Sequence, residues 1–181
     1  GVQPAEVARR LSDLTPPPGR MERVGGIGEP LVVIDYAHTP DALENALGAL
    51  RDVAKPRGGS LVVVFGCGGD RDKGKRAQMG ALAAANADRA LVTSDNPRSE
   101  VAQAIIDDIV SGMSHAEIEV DRAAAIRRAI LEADERDVIL LAGKGHESYQ
   151  EIAGVRYPFS DVEQAQAALM LRRAKSQGVA A

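Results

Sequence analysis

A doubly wound α/β fold, with a mostly parallel Rossmann-like sheet of about six strands and helices on both faces, is predicted by three features of the 181-residue sequence. Short β-branched runs alternate with longer segments of helical periodicity. The runs are apolar at successive rather than alternating positions, which is how strands buried on both faces read. The glycine-rich and charged clusters begin where those runs stop.

In chain order, residues 4–14 have the spacing of one short amphipathic helix, and Thr15, Pro16, Pro17, Pro18 and Gly19 then impose a stiff, extended connector. A stub too short to fold alone, ahead of such a linker, marks residues 1–18 as the tail of a preceding domain and 19–181 as the α/β domain, in a chain cut from something longer. Strands are expected at 31–35, 61–65, 90–93, 118–120 and 138–142. Between them Leu43, Ala46, Leu47 and Leu50 fall at helical spacing, as do Val101, Ile105, Ile109 and Met113, and Ile126, Ala129, Ile130 and Ala133. These are core candidates rather than site candidates. Thr39 with Pro40 opens the first of these helices, and Ser160 with Glu163 has capping-box spacing before the last. A hairpin is expected near 154–158. Right-handed crossovers then put ligands beyond the carboxyl ends of the strands.

Composition narrows the function. Twenty-two Lys and Arg against 26 Asp and Glu, a net charge of −4 and 3% aromatic residues argue against a nucleic-acid partner, which needs a basic face or a stacking platform. No apolar run approaches the ~20 residues of a membrane span, and no signal-peptide layout opens the chain, so a cytoplasmic protein without a membrane partner is expected. The single cysteine, Cys67, sits in no metal-ligand spacing and suits a reducing compartment.

Four strand-to-helix junctions carry the unusual residues: 35–41, 66–76, 95–98 and 143–147. In a parallel sheet all four open onto one edge, so one cleft can collect them. The second resembles two phosphate loops without completing either. Arg71 stands where a dinucleotide fingerprint needs its third glycine, and Arg76 where a Walker A loop needs Ser or Thr for magnesium. The glycines instead free Arg71 to take a carboxylate through its planar fork, while Lys73, Lys75 and Arg76 read as a solvated helix start. Pro97 restrains Asn96 and aims Arg98 outward beside Asp95, the alternative being a plain turn with Ser99 as a cap. Glu147 can accept bonds from an ammonium, so that two arginines and a glutamate suit the zwitterionic end of an amino acid. His115 reads as structural. Asp35 ends a strand where a ribose diol could bind, with Tyr36 and His38 beside it for a base.

Taken together, GRMERV, DYAHTPD, FGCGGDRDKGKR, SDNPRSE and AGKGHE, in this order and spacing, resemble the C-terminal domain of a Mur ligase over nearly the whole chain from Gly19 onward. DNPR with GKGHE points within that family to the branch that adds meso-diaminopimelate. The resemblance implies a peptidoglycan-precursor ligase. In that family ATP phosphorylates a carboxylate of UDP-N-acetylmuramoyl-L-alanyl-D-glutamate, the incoming amine attacks the acyl phosphate, and an amide, ADP and phosphate result. It also implies that Arg71, Asn96 and Arg98 hold a carboxylate of meso-diaminopimelate. Gly143 and Glu147 would receive the ammonium at that same end, with Asp95 helping to position it. Arg20 and Asp35 fall at ribose-contacting positions, and Tyr36 and His38 beside adenine. The family's ATP phosphate loop and Mg2+ ligands belong to a central ATPase domain whose tail residues 1–18 resemble. No catalytic or metal-binding residue is therefore expected here, and the domain alone is expected to be inactive, working with covalently linked upstream domains. The alternatives are a sister ligase using another amino acid such as L-lysine, and a free-standing amino-acid or nucleotide sensor.

Overall fold

The computed structural model describes residues 17–176 and 178; the helix expected at 4–14 lies outside them. Eight strands and five helices follow in the order β1 (Glu22–Val24), β2 (Leu31–Asp35), α1 (Pro40–Arg57), β3 (Leu61–Phe65), α2 (Gly74–Asn86), β4 (Arg89–Val92), α3 (Ala102–Val110), β5 (Glu117–Ile118), α4 (Arg122–Glu132), β6 (Val138–Ala142), β7 (Tyr149–Ile152), β8 (Val155–Pro158) and α5 (Asp161–Ser176).

The main sheet has six strands in the order β1-β2-β6-β3-β4-β5. All its pairings are parallel except that of β1, an antiparallel edge strand on β2. Because β6 returns to lie between β2 and β3, the chain reverses its winding there, and a crevice opens at the carboxyl ends of these strands.

The pleat sorts the strand residues between two cores. Val33, Val63, Phe65 and Leu140 face α1, α2 and α3 with Leu43, Leu47, Met79 and Ile106. Val32, Ile34, Val62, Val64 and Leu141 face α4 and α5 with Ile126, Ile130, Ala165 and Leu169. Both faces are covered, which is why the runs lack alternation.

The caps behave as their chemistry dictates. Thr39 Oγ1 accepts from Ala42 N at 3.3 Å with Pro40 opening α1, and Ser160 Oγ accepts from Glu163 N at 3.4 Å. The third helix is shorter than its periodicity predicts. Val101 is its exposed N-cap and Met113 lies beyond its end. Ser99 is not the cap, because its amide and hydroxyl both bond Asp70 across the cleft.

Candidate functional site

The loops leaving β2, β3, β4 and β6 line one cleft of about 360 Å³ at the carboxyl edge of the sheet. One part of its wall is Arg71, Asp95, Asn96, Arg98, Gly143 and Glu147; Tyr36 and His38 form another part. Arg20 and Asp35 stand beside it rather than in its lining.

The arginine side is stitched from two loops. Gly69 N donates to Asn96 O at 2.8 Å, and Arg98 Nη1 donates to Gly69 O at 2.7 Å. A β-carbon on Gly69 would lie 1.9 Å from Pro97 O, so only glycine permits this approach. Arg98 has a left-handed backbone, φ 53°. That strain is held by a parallel bridge to the β7–β8 hairpin: Arg98 N donates to Glu151 O at 3.0 Å and Ala153 N to Arg98 O at 2.7 Å. Arg71 is exposed and, among the described residues, its side chain bonds only its neighbour's carbonyl, Asp70 O, at 3.4 Å. Neither Arg71 nor Arg98 makes an ion pair among the described residues, so both guanidiniums retain N–H groups for an anion.

The same wall also carries two carboxylates, Asp95 and Glu147. Asn96 is buried, and its amide is largely committed. Nδ2 donates to Glu147 Oε2 at 2.8 Å, while Oδ1 accepts from Lys144 Nζ at 3.1 Å and Glu151 N at 2.9 Å. One Nδ2 proton is left for a ligand. Asp95 is buried beneath Gly143, and burial raises its carboxyl above the usual range while the Arg122 and Lys144 charges pull it back. Gln150 Nε2 fixes this loop through Ser94 Oγ at 2.8 Å and Asp95 O at 2.7 Å. Beneath everything, Arg122 and Asp161 form a fully buried bidentate pair, at 2.8 and 2.7 Å, that ties α4 to α5. Arg122 Nη2 also caps the end of β6 by donating to Ala142 O at 3.0 Å.

The third wall is aromatic and shallower. Tyr36 stacks obliquely on His38, ring centroids 4.6 Å apart, and lies 5.9 Å from His146. The Arg20 guanidinium sits 5.8 Å over the Tyr36 ring. Gly19 brings Arg20 there: a β-carbon on it would fall 2.0 Å from His146 N. Asp35 spends Oδ2 on Met21 N at 2.9 Å, which pins the same segment to the end of β2. Lys75 joins this wall by donating to His38 O at 2.7 Å.

Two sequence readings need correction. Arg76 is not part of a solvated helix start. It is fully buried, with Nη1 and Nη2 on Glu100 at 3.0 and 2.8 Å and Nη1 on Asp108 at 2.9 Å. The Walker-like serine position therefore holds a structural arginine that binds α2 to α3. Lys75 reaches the cleft, as do Thr39, read from the sequence as a helix cap, and Gly68 and Asp72, which the sequence places in the glycine-rich loop without a site role. Lys144, buried between Asp95, Asn96 and Glu147, is not among the sequence's site candidates; its signal is its place inside GKGHE. Cys67 is buried against Met79, Sγ to Sδ 3.6 Å, and burial pushes its thiol up to about 11, so it is inert packing. Among the described residues no group of three or more His, Cys, Asp or Glu is arranged to hold a metal ion.

Residues 19–145 match the family model described as Mur ligase, glutamate ligase domain. The UDP-N-acetylmuramoyl-L-alanyl-D-glutamate–2,6-diaminopimelate ligase of Chromobacterium violaceum is 57% identical over 171 residues, 93% of this chain and 34% of the relative. The enzyme of that name from Acidovorax sp. is 56% identical over 175 residues, 95% of this chain and 35% of the relative. A solved structure of a UDP-N-acetylmuramoyl-L-alanyl-D-glutamate–2,6-diaminopimelate ligase superposes with a TM-score of 0.81 at 40% identity, covering 96% of this chain and 36% of that one. The chain thus spans about a third of the length of these relatives. With the fold, the edge cleft and the motifs in agreement, the chain belongs to the Mur ligase family.

Proposed function

We propose that this chain is the C-terminal domain of a ligase that joins meso-diaminopimelate to UDP-N-acetylmuramoyl-L-alanyl-D-glutamate with conversion of ATP to ADP and phosphate. In this reading residues 1–18 are the tail of a central ATPase domain and 19–181 the domain that recognises the amino acid and part of the adenosine. The observation that carries it is the pairing, in one cleft, of two arginines that make no ion pair among the described residues with the acceptors Glu147 and Gly143 O, complementary to one zwitterionic end of the amino acid.

Arg71 and Arg98 take the carboxylate, with the remaining Asn96 proton behind them. Glu147 and the Gly143 carbonyl take the ammonium, and Asp95 supports it from below. Holding this end leaves the distal amine to be presented to an acyl phosphate, so the domain's contribution to the rate is orientation. Tyr36 and His38 offer faces for adenine, and Arg20 and Asp35 Oδ1 offer polar groups for the ribose. Phosphoryl transfer and Mg2+ are assigned to the upstream domains. ATP as substrate and a buried, inert thiol fit cytoplasmic residence.

The test is a backbone amide NMR titration with meso-diaminopimelate, and with L-lysine as the control lacking one carboxylate. Saturable shifts at Arg71, Asn96, Arg98 and Glu147 with the first ligand alone are expected. Equal responses to both would overturn the two-arginine reading. The pure domain with ATP is expected to form no amide, and turnover by it would overturn the division of labour.

A further inference from the structure

Behind Glu147 and the arginines lies a lysine that the reading above does not use. The Lys144 side chain has no exposed surface. Its ammonium lies 3.1 Å from Asn96 Oδ1, 3.2 Å from Glu147 Oε2 and 3.4 Å from Asp95 Oδ1. The rings of Tyr149 and Phe159 close over it, with centroids 5.9 and 6.0 Å away. An ammonium has three protons, and a buried one is tolerated when each finds an acceptor. Here three acceptors from two loops supply that.

The charges around it can be counted. Asp95 and Glu147 bring two negative charges and Lys144 one positive. Behind them Arg122 on α4 and Asp161 on α5 cancel each other. The pocket end therefore carries one net negative charge when both carboxyls are ionised, facing the positive Arg71 and Arg98. The lysine also fixes which oxygen is offered. Lys144 and Asn96 both bond Glu147 at Oε2, and among the described residues no donor reaches Oε1.

We infer that Lys144 is a positioning and specificity-determining residue. It locks Asp95, Asn96 and Glu147 into one geometry and trims the pocket end to a single negative charge, so that Glu147 Oε1 receives one ligand ammonium. The inference rests on the amino-acid reading of the cleft, but its first test needs no ligand. Glu147 and Lys144 from the loop after β6, Arg122 from α4 and Asp161 from α5 are the charged groups that face Asp95. Of these, Lys144 is in direct contact with it and lacks a dedicated partner of its own outside the site.

The experiment compares the parent chain with Lys144→Met, which keeps the length and loses the charge, and Lys144→Gln, which keeps a donor toward Asn96 or Glu147. Carboxyl carbon NMR follows Asp95 through a pH titration. In both variants Asp95 is expected to release its proton at a pH higher by about one unit or more; an unchanged titration overturns the inference. Should neither variant fold, the parent still answers. Its Nζ ammonium resonance is expected to be observable and slow to exchange, and rapid exchange would contradict a fully accepted buried ammonium.

Calorimetry with meso-diaminopimelate from pH 5 to 8 supplies the second arm. The variants are expected to bind about 10- to 100-fold more weakly at pH 6. They recover as the pH rises, because Asp95 must lose its proton before the ligand's ammonium can serve as its counter-ion. A loss equal at every pH is the mark of packing alone and overturns the specificity role. If meso-diaminopimelate binds neither parent nor variants, the amino-acid reading of the cleft fails, and the Asp95 titration alone decides whether Lys144 sets the charge.

Discussion

The two ends of the cleft are built differently. At the arginine end, the exposed Arg71 apart, the loops are tied to one another more than once. Arg98 is held through its backbone by the hairpin and through its guanidinium by Gly69, Asp70 is bridged by Ser99, and Asn96 is used on both sides of its amide. At the aromatic end His38 and His146 lean on Tyr36 at tilted angles, with Arg20 above, and the joining bonds include Met21 N to Asp35, Gly143 N to the Asp35 carbonyl, Lys75 to the His38 carbonyl and a 2.8 Å bond between His38 Nδ1 and the Tyr36 carbonyl. Discrimination between amino acids depends on placing charges to within a fraction of an ångström, which needs an over-determined frame. Stacking on a base tolerates tilt and sliding.

The most damaging way to break this contrast is to loosen what lies under both ends. Asp161→Ala leaves Arg122 buried and unpaired, and a stability loss of about 3–5 kcal/mol is expected from the uncompensated charge. Equilibrium urea denaturation measures it. Near-parental stability would mean that water or a neighbouring carboxylate had taken over the guanidinium.

Next in size is Arg98→Lys, which keeps the charge but not the planar fork. Affinity for meso-diaminopimelate is expected to fall about 10- to 100-fold by calorimetry, with ATP-induced shifts at Tyr36 unchanged. If both ligands suffered alike, the two ends would be one coupled unit rather than two.

Gly19→Ala is the complementary change. Its β-carbon would collide with the His146 backbone at 2.0 Å from a left-handed conformation, φ 68°. Strain of about 1–3 kcal/mol is expected to displace the Arg20 segment. Amide shifts should move at Tyr36 and His146 and stay still at Arg71, Asn96 and Arg98; movement at the second group would erase the distinction.

How far the sequence reveals these two ends follows from what sets each. The strands at 31–35, 61–65 and 138–142 are found to the residue because an unbroken apolar run has one consistent placement, a central parallel strand. The edge strand β1 was not singled out, since three residues reading Glu-Arg-Val carry no such run. α3 starts late because Ser99 and Glu100 are drawn across the cleft to Asp70. It stops early near Gly112, where α2 comes so close that a β-carbon would lie 2.0 Å from Ala77 O. Periodicity sees neither tertiary demand. The clustering of the four junctions was legible, because parallel topology forces it. Burial of Lys144 and Arg76 was not: whether a charged residue is solvated or enclosed depends on partners distant in sequence, such as Asp95 and Asp108.

The smallest expected effect sharpens the contrast behind the arginine end. Glu100 accepts two bonds from Arg76 and one from Asp70 N at 2.7 Å, with Lys73 nearby at 3.3 Å, and these hold its carboxyl at about 2, below the ordinary 4.5. A carboxyl whose folded value is depressed contributes stability that is fully present above its unfolded value and is lost as the pH falls through the folded one. The melting-temperature gap between the parent and Glu100→Gln should therefore be constant near neutrality, begin to close below about pH 4.5, and vanish near pH 2. Because Lys73 is exposed, salt should narrow the gap a little at neutral pH without moving the pH at which it closes. A gap independent of pH would mean that Arg76 is held by the shape of its site rather than by the Glu100 charge. The tie between α2 and the loop before α3 would then be one of packing.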